Sequence, residues 1–340
     1  MQQPAQINDL REMSARVGRN MLLVQGAGGN SSAKDGDTLW VKASGTWLSD
    51  ATDKDIFVPV ALSAALAALE QGDERVPLAP GATTTLRASI ETSLHALMPH
   101  PVVLHVHSVN TIAWAVRTDA PAELTRRLAG LNWRYLDYCH PGLPLAQAVS
   151  AAIAREPVDV LILGNHGLVV GATTCEAAEA MVADVEQRLA VIPREALAAD
   201  SDALRSICAG TDYRVPSDPR CHGIATDRHN LAVATGGSLY PDHVVFLGRA
   251  MPTLGHGDSL RAADLKKTDA PPPVAILIPG IGSVIRKDAS AGAEAMLSCL
   301  ALVTCRLPPN APIHYLTEQN ENALLNWDAE RYRQQLTASR

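Results

Sequence analysis

Along the first half of the chain the spacing of apolar residues switches repeatedly between helical and strand periods, which predicts helices interleaved with strands. Residues 6–18 carry apolar positions three and four apart and predict an amphipathic helix. Residues 38–41 and 56–60 predict strands and 61–69 a helix, and a further helix carries Glu91. Residues 101–107 predict a strand, 109–116 a helix, 133–138 a strand, 145–154 a helix, 158–163 a buried strand and 175–189 a long last helix. This order predicts a mixed three-layer α/β/α domain, with a sheet between two layers of helices.

After Pro193 the pattern changes. Residues 200–219 are rich in Asp, Ser and Pro and predict a linker or cap. A helix over 227–235 and the turn Gly236-Gly237 come next. A second, smaller α/β unit is predicted from strands at 243–247, 274–278 and 283–285, a helix at 289–304 and two polar helices at the end. The expected division is therefore 1–198 and 199–340. Pro279-Gly280-Ile281-Gly282 contains a Gly-x-Gly but neither the third glycine nor the later acidic residue of a dinucleotide loop, so nicotinamide binding is not expected. Tyr240, Asp242, His243 and His256 are polar enough to line a cleft, although a strand start and a surface loop account for them more simply.

Composition narrows the class. With 340 residues the chain is long enough for one large domain and a smaller one. A net charge of −7 without a basic cluster argues against nucleic acid as partner. The longest apolar runs are broken by Pro, Gly or charge, so no membrane partner is expected. The start Met1-Gln2-Gln3-Pro4 lacks the charged and apolar regions of a signal peptide, and a cytoplasmic location is the expectation. The six cysteines show no Cys-x-x-Cys spacing and read as reduced core residues, with the pair Cys221-His222 expected to be structural.

The candidate chemistry sits at His105-Val106-His107. Side chains two apart on a strand point the same way, so one strand can present both imidazoles to a single ion. Two histidines on one face of a run of Val and Leu would otherwise bury two polar rings. His166, in Gly164-Asn165-His166-Gly167 just after another apolar strand, can supply a third nitrogen and leave a position open for substrate, as in catalytic zinc sites. Imidazole also suits manganese or cobalt. Glu91 is then available to move protons. Partial burial would raise its pKa towards neutrality and a metal's charge would oppose that; without the histidines it would read as a solvated carboxylate in the first turn of a helix. The glycines of Gln25-Gly26-Ala27-Gly28-Gly29-Asn30-Ser31-Ser32 allow backbone N–H groups to cradle an anion, although such clusters are more often simple turns.

Four local motifs occur in an order that resembles the class II aldolase/adducin family: Gln25 to Ser32, then Lys42-Ala43-Ser44-Gly45, then Ser89-Ile90-Glu91 with His95 one helical turn on, then the histidine pair followed by Gly164-Asn165-His166-Gly167-Leu168. The similarity spans about residues 5 to 195. It implies that His105, His107 and His166 ligate zinc and that Glu91 is the catalytic acid/base. It further implies that Gly29, Asn30, Ser44, Gly45 and Ser89 hold a substrate phosphate, with Asn30 also donating to a developing oxyanion. The implied reaction is reversible aldol cleavage of a sugar phosphate or related ketose through a metal-stabilised enediolate. An epimerase, dehydratase or decarboxylase using the same site is the alternative, and an adducin-like interaction protein the third reading.

Two departures bear on the substrate. Ile90 stands where fuculose-phosphate aldolases carry a second serine, and the tyrosine that a neighbouring subunit lends in those enzymes has only loose counterparts in Trp133, Tyr135 and Tyr138. The resemblance implies a homo-oligomer, commonly a four-fold tetramer. Residues 238–246 also resemble the region that follows the aldolase part of bifunctional rhamnulose-phosphate aldolase/dehydrogenases, and 325–330 the stretch before their dehydrogenase module, which leads to the expectation of a free-standing aldolase half with its accessory unit retained.

Overall fold

A computed structural model describes residues 6–255, 258–260 and 272–338. Its first unit runs to Ala190 and omits only Val116–Thr118, which belong with the chain from Val191 onward in the second unit. His256 lies outside the described residues.

The first helix, α1 (Gln6–Arg19), buries Ile7, Leu10, Met13 and Val17, the stripe that a 3.6-residue period dictates. The next element was not legible in the hydropathy pattern. Strand β1 (Asn30–Asp35) reads Asn-Ser-Ser-Ala-Lys-Asp, yet its first four residues are buried. Such a strand is tolerated because its hydroxyls are satisfied: Ser31 Oγ lies 2.7 Å from Ser14 Oγ and Ser32 Oγ 2.7 Å from His95 Nδ1. Strands β2 (Thr38–Lys42) and β3 (Phe57–Ala61) follow, then α2 (Leu62–Glu70), α3 (Thr92–Leu97) and β4 (Val102–Val106). Helices α4 (Val109–Ala115) and α5 (Ala120–Arg127) lead to β5 (Trp133–Leu136), α6 (Leu143–Ile153), β6 (Val160–Leu163), β7 (Gly167–Ala172) and α7 (Cys175–Leu189).

The strands form one sheet in the order β3-β2-β1-β4-β7-β6-β5. All its neighbours are antiparallel except β5 and β6. Helices α1, α4 and α7 pack together over β1, β4 and β7, and α2, α3 and α6 form a second group over β2, β3 and β5. Leu94 and Met98 of the α3 region meet Val103, Leu161 and Val169 of the sheet with Leu145 and Val149 of α6, one apolar core layer. The expected sheet between two helical layers is what forms.

In the second unit, residues 200–214 hold a helix, α8 (Ser201–Cys208), and a short strand, β8 (Tyr213–Arg214), where the polar composition predicted a linker. Asp200 caps α8 by accepting from the Ala203 amide. Helices α9 (Gly223–Thr226), α10 (Arg228–Gly236) and α11 (Pro241–Leu247) follow. Residues 243–247 are therefore helical and not the expected strand. Pro241 in the first turn presets the helix, and the β-branched pair Val244-Val245 is buried with the rest of it, so packing overrides the strand propensity that suggested otherwise.

Strands β9 (Ala275–Ile278) and β10 (Gly282–Arg286) pair antiparallel, with β8 on the far side of β10. The Gly280–Gly282 turn thus closes a hairpin and does not open a helix, so it lacks the strand-turn-helix setting of a dinucleotide loop. Helices α12 (Ala291–Thr304), α13 (Glu318–Leu325) and α14 (Asp328–Ala338) complete the unit. Among the described residues no helix is long and apolar enough to cross a membrane.

Candidate metal centre

The site is built where β4 runs out. His105 is the penultimate residue of β4, and its pairing partners across the sheet are Asn30 on one side and Val169 on the other. Residues directly opposite in an antiparallel pair put their side chains on the same face, so Asn30 and His105 are neighbours by register. His107 lies one residue past the strand end, and its carbonyl accepts from Gln25 Nε2 at 3.3 Å. Its ring still joins that of His105, as the two-residue spacing predicts.

His166 arrives from a tight reversal between β6 and β7. Asn165 takes a left-handed φ of 52°, a conformation Asn tolerates better than most residues, and the His166 amide donates to Leu163 O at 3.1 Å. Gly167 then passes so close to β4 that a Cβ there would lie 2.5 Å from Val106 O. Gly29, with φ of 63°, passes the other side, where a Cβ would meet His105 O at 2.8 Å. Only glycine lets the two flanking loops close on the strand.

The three rings converge. His105 and His107 centroids are 4.9 Å apart, His105 and His166 4.9 Å, and His107 and His166 5.2 Å. One nitrogen from each lies within 4.8 Å of the others, and all three residues are buried. His105 Nδ1 sits 3.0 Å from Leu168 O, an acceptor only, so Nδ1 carries the hydrogen and a neutral ring presents a bare Nε2 inward. That Nε2 is 3.1 Å from His107 Nε2. Two nitrogens sharing a tetrahedral ion with bonds of about 2.0–2.1 Å would be about 3.3 Å apart. The donor set, its tautomer and its spacing fit a divalent cation.

Glu91 sits beside the rings as the residue immediately before α3, not inside it, and is 5 % exposed, so it is not the solvated helix-start carboxylate that its sequence context also allowed. Its Oε2 is 3.5 Å from His105 Nε2 and its Oε1 3.4 Å from His166 Nε2. Asn30 Nδ2 donates to Oε2 at 2.8 Å and to Ser89 Oγ at 3.2 Å. Burial drives the Glu91 pKa upward; positive charge on the His105 and His166 rings, the Asn30 hydrogen bond and positive charge on His107 outweigh it and hold the group at about 2, below its ordinary 4.5, and with the rings neutral a cation between them would supply that charge instead.

The remaining site residues expected from sequence cluster here in part. Ser44 and Ser89 are brought together by a bridge between Ala43 and Ala88, in which the Ser44 amide donates to Arg87 O at 2.9 Å and the Ser89 amide to Lys42 O at 3.1 Å. Ser44 Oγ is buried and makes no hydrogen bond among the described residues, and Gly45 turns with φ of 76°. Ser89 Oγ accepts from both the Glu91 amide at 3.2 Å and Asn30. Tyr135 donates to Ala115 O at 3.3 Å, and burial pushes its hydroxyl up to about 12.

Two residues carry roles that the sequence reading did not assign. Lys42 is buried and donates from Nζ to Ala27 O at 3.2 Å, tying the glycine loop to β2; a lysine at the end of a buried strand was the available signal. His95 is fully buried and bonds both Ser32 and Asn30; its position one helical turn beyond Glu91 was the signal.

Residues 8–192 match the family model for the class II aldolase and adducin N-terminal domain. A stretch of 160 residues, 45 % of this chain and 78 % of the relative, is 31 % identical to the L-fuculose phosphate aldolase of Methanococcus vannielii. Another of 91 residues is 30 % identical to an uncharacterized oxidoreductase, YuxG, of Bacillus subtilis; it covers 26 % of this chain and spans only 13 % of that protein's length. Among solved structures, the N-terminal class II aldolase domain of a conserved protein from Thermoplasma acidophilum aligns with a TM-score of 0.47 and 24 % identity, over 56 % of this chain and 94 % of that one. The chain belongs to the class II aldolase and adducin family, whose divalent-metal dependence agrees with the histidine cluster.

Proposed function

We propose that this member of the family is a metal-dependent carbon–carbon lyase that cleaves a phosphorylated or closely related ketose reversibly. The observation that supports this most is the convergence of the three imidazoles beside a buried glutamate. A divalent cation held by His105, His107 and His166, zinc by preference, supplies Lewis-acid polarisation of the substrate carbonyl and stabilises the negative charge that develops there.

The chain's own residues then have distinct tasks. Asn30 holds Glu91 Oε2, whereas Oε1 accepts no hydrogen bond among the described residues. Oε1 is therefore the atom that takes the proton. In the condensation direction it removes a proton from the carbon beside the carbonyl, and in cleavage it returns one there.

Ser44, with an uncommitted buried hydroxyl, and the glycine turns at Gly29 and Gly45 are assigned to the substrate anion. Ser89 accepts two hydrogen bonds and keeps its own proton to offer the same anion. Asn30 serves Glu91 first. Burial of the site favours a small ligand over a macromolecule, and assembly into a homo-oligomer is proposed from the family alone.

The test is a screen of phosphorylated and free ketoses and sugar acids for aldehyde release, with and without added zinc, manganese or cobalt. Two carbonyl fragments, formed only with metal, are expected. A single product of unchanged carbon number would instead assign an epimerase. Loss of water or of carbon dioxide would assign a dehydratase or a decarboxylase. A purified chain without bound metal and indifferent to chelator would favour the interaction protein.

A further inference from the structure

Behind Glu91 a line of buried hydrogen bonds runs from β1 through α3 and back. Ser32 Oγ is 2.7 Å from His95 Nδ1. His95 Nε2 meets Asn30 Oδ1, and Asn30 Nδ2 reaches Glu91 Oε2 at 2.8 Å. Every residue in it is at most 5 % exposed.

The directions of these bonds follow from one fixed end. The Glu91 carboxylate can only accept, so Asn30 must turn its NH2 towards it and its Oδ1 towards His95. An amide oxygen is also only an acceptor, so His95 Nε2 carries the hydrogen, and neutral His95 Nδ1 accepts from the Ser32 hydroxyl. Each member donates towards the carboxylate, and aligned donors of this kind polarise one another. Were the amide of Asn30 reversed, its oxygen would face the carboxylate and its NH2 would face a ring N–H.

We infer that His95 is the positioning residue of this site: by donating from Nε2 to Asn30 Oδ1 it locks the Asn30 amide and thereby holds Glu91 Oε2, leaving Oε1 as the oxygen that works. The inference rests on the lyase reading for its kinetic consequence, but not for its geometry. Burial keeps the ring neutral against the pull of the Glu91 carboxylate, with His105, Lys34 and Lys42 adding to the effect of burial, and the neutral ring is the form the chain of donors needs. The Ser32 hydroxyl, which can donate or accept, follows this tautomer and donates to the bare Nδ1.

Five proteins test it: the wild type, His95→Gln, which keeps a donor near the Nε2 position, His95→Leu, which keeps none, Glu91→Gln, and His95→Leu combined with Glu91→Gln. The expected result is a fall in kcat of about 10- to 100-fold for His95→Leu, the range found when groups that orient a site's ligands are removed, with KM and bound metal per chain unchanged. His95→Gln recovers most of the rate. In the Glu91→Gln background His95→Leu changes the residual rate little, while its effect on Tm persists. An equal loss of kcat in both backgrounds, or a parallel loss of metal, makes His95 a merely structural residue and overturns the inference.

Should His95→Leu fail to fold, Ser32→Ala takes its place with a smaller loss of the same kind. A readout independent of turnover is the 15N spectrum of the His95 ring in metal-free protein at neutral pH. The Nε2–H tautomer is expected, and the Nδ1–H tautomer would overturn the assignment. If the wild type turns over no sugar, the lyase reading fails alone, and the tautomer still decides this one.

Discussion

Both units bury ionisable groups, and they arrange them in opposite ways. In the second unit, Arg333 is 7 % exposed and shares its guanidinium between Asp242 and Glu330, the latter at 2.7 Å, while Arg214 reaches Glu294 at 2.7 Å. Charges of opposite sign meet in both places. Burial alone would push the Arg333 pKa down, but the two carboxylates more than reverse that. In the first unit three imidazoles face one another beside a single carboxylate. Nitrogen lone pairs directed at a common point are stabilised by a cation. The difference separates ion pairs that neutralise one another from a set of nitrogens that could hold a cation.

The comparison breaks most visibly if the imidazoles are not ligands. His105→Ala is expected to abolish turnover and reduce bound divalent metal from about one per chain to a small fraction, read by elemental analysis of the dialysed protein. Retained metal in that variant would contradict the assignment. Glu91→Gln should separate the carboxylate from the metal site: kcat falls by about 10²- to 10⁴-fold, the usual contribution of a general acid/base, and the metal stays.

Arg333→Leu sharpens the other side. It leaves two buried carboxylates without their shared cation and is expected to cost about 3–5 kcal/mol in denaturant unfolding, with metal per folded chain unchanged. Gly167→Ala drives a Cβ against the Val106 carbonyl and should cost about 1–3 kcal/mol, the range for overpacking a tight site, together with weaker metal binding.

The smallest effect is a pH dependence in the second unit. Arg214 and the Ser217 amide hold the partly buried Glu294 carboxyl down to about 2 from an ordinary 4.5. A depressed carboxylate contributes stability that is complete above about 4.5 and is lost as pH falls towards 2. Urea titrations across that window should show a steeper acid loss in the wild type than in Arg214→Met, by about 1 kcal/mol at most for a half-buried pair. Parallel curves would remove Glu294 from the account.

Much of the first unit was legible because its chemistry and its periodicity coincide. The His-x-His spacing, the Gly164–Gly167 turn and the helix at Cys175–Leu189 were all visible in the chain. Strand β1 was not, since five of its six residues are polar and only the hydroxyl partners, distant in sequence, make it a buried strand. Helix α11 was misread because Val-Val-Phe looks like a strand until Pro241 and full burial are known. His95 was visible as a residue but not as a role. Its function depends on Ser32 and Asn30, more than sixty positions away.

The central claim is that three imidazole nitrogens share one divalent cation. X-ray absorption at the metal edge of the zinc- or cobalt-loaded protein tests it most directly. Three histidine nitrogens at about 2.0–2.1 Å are expected, reduced to two in His166→Ala. A sulfur neighbour, or a spectrum that His166→Ala leaves unaltered, would contradict it.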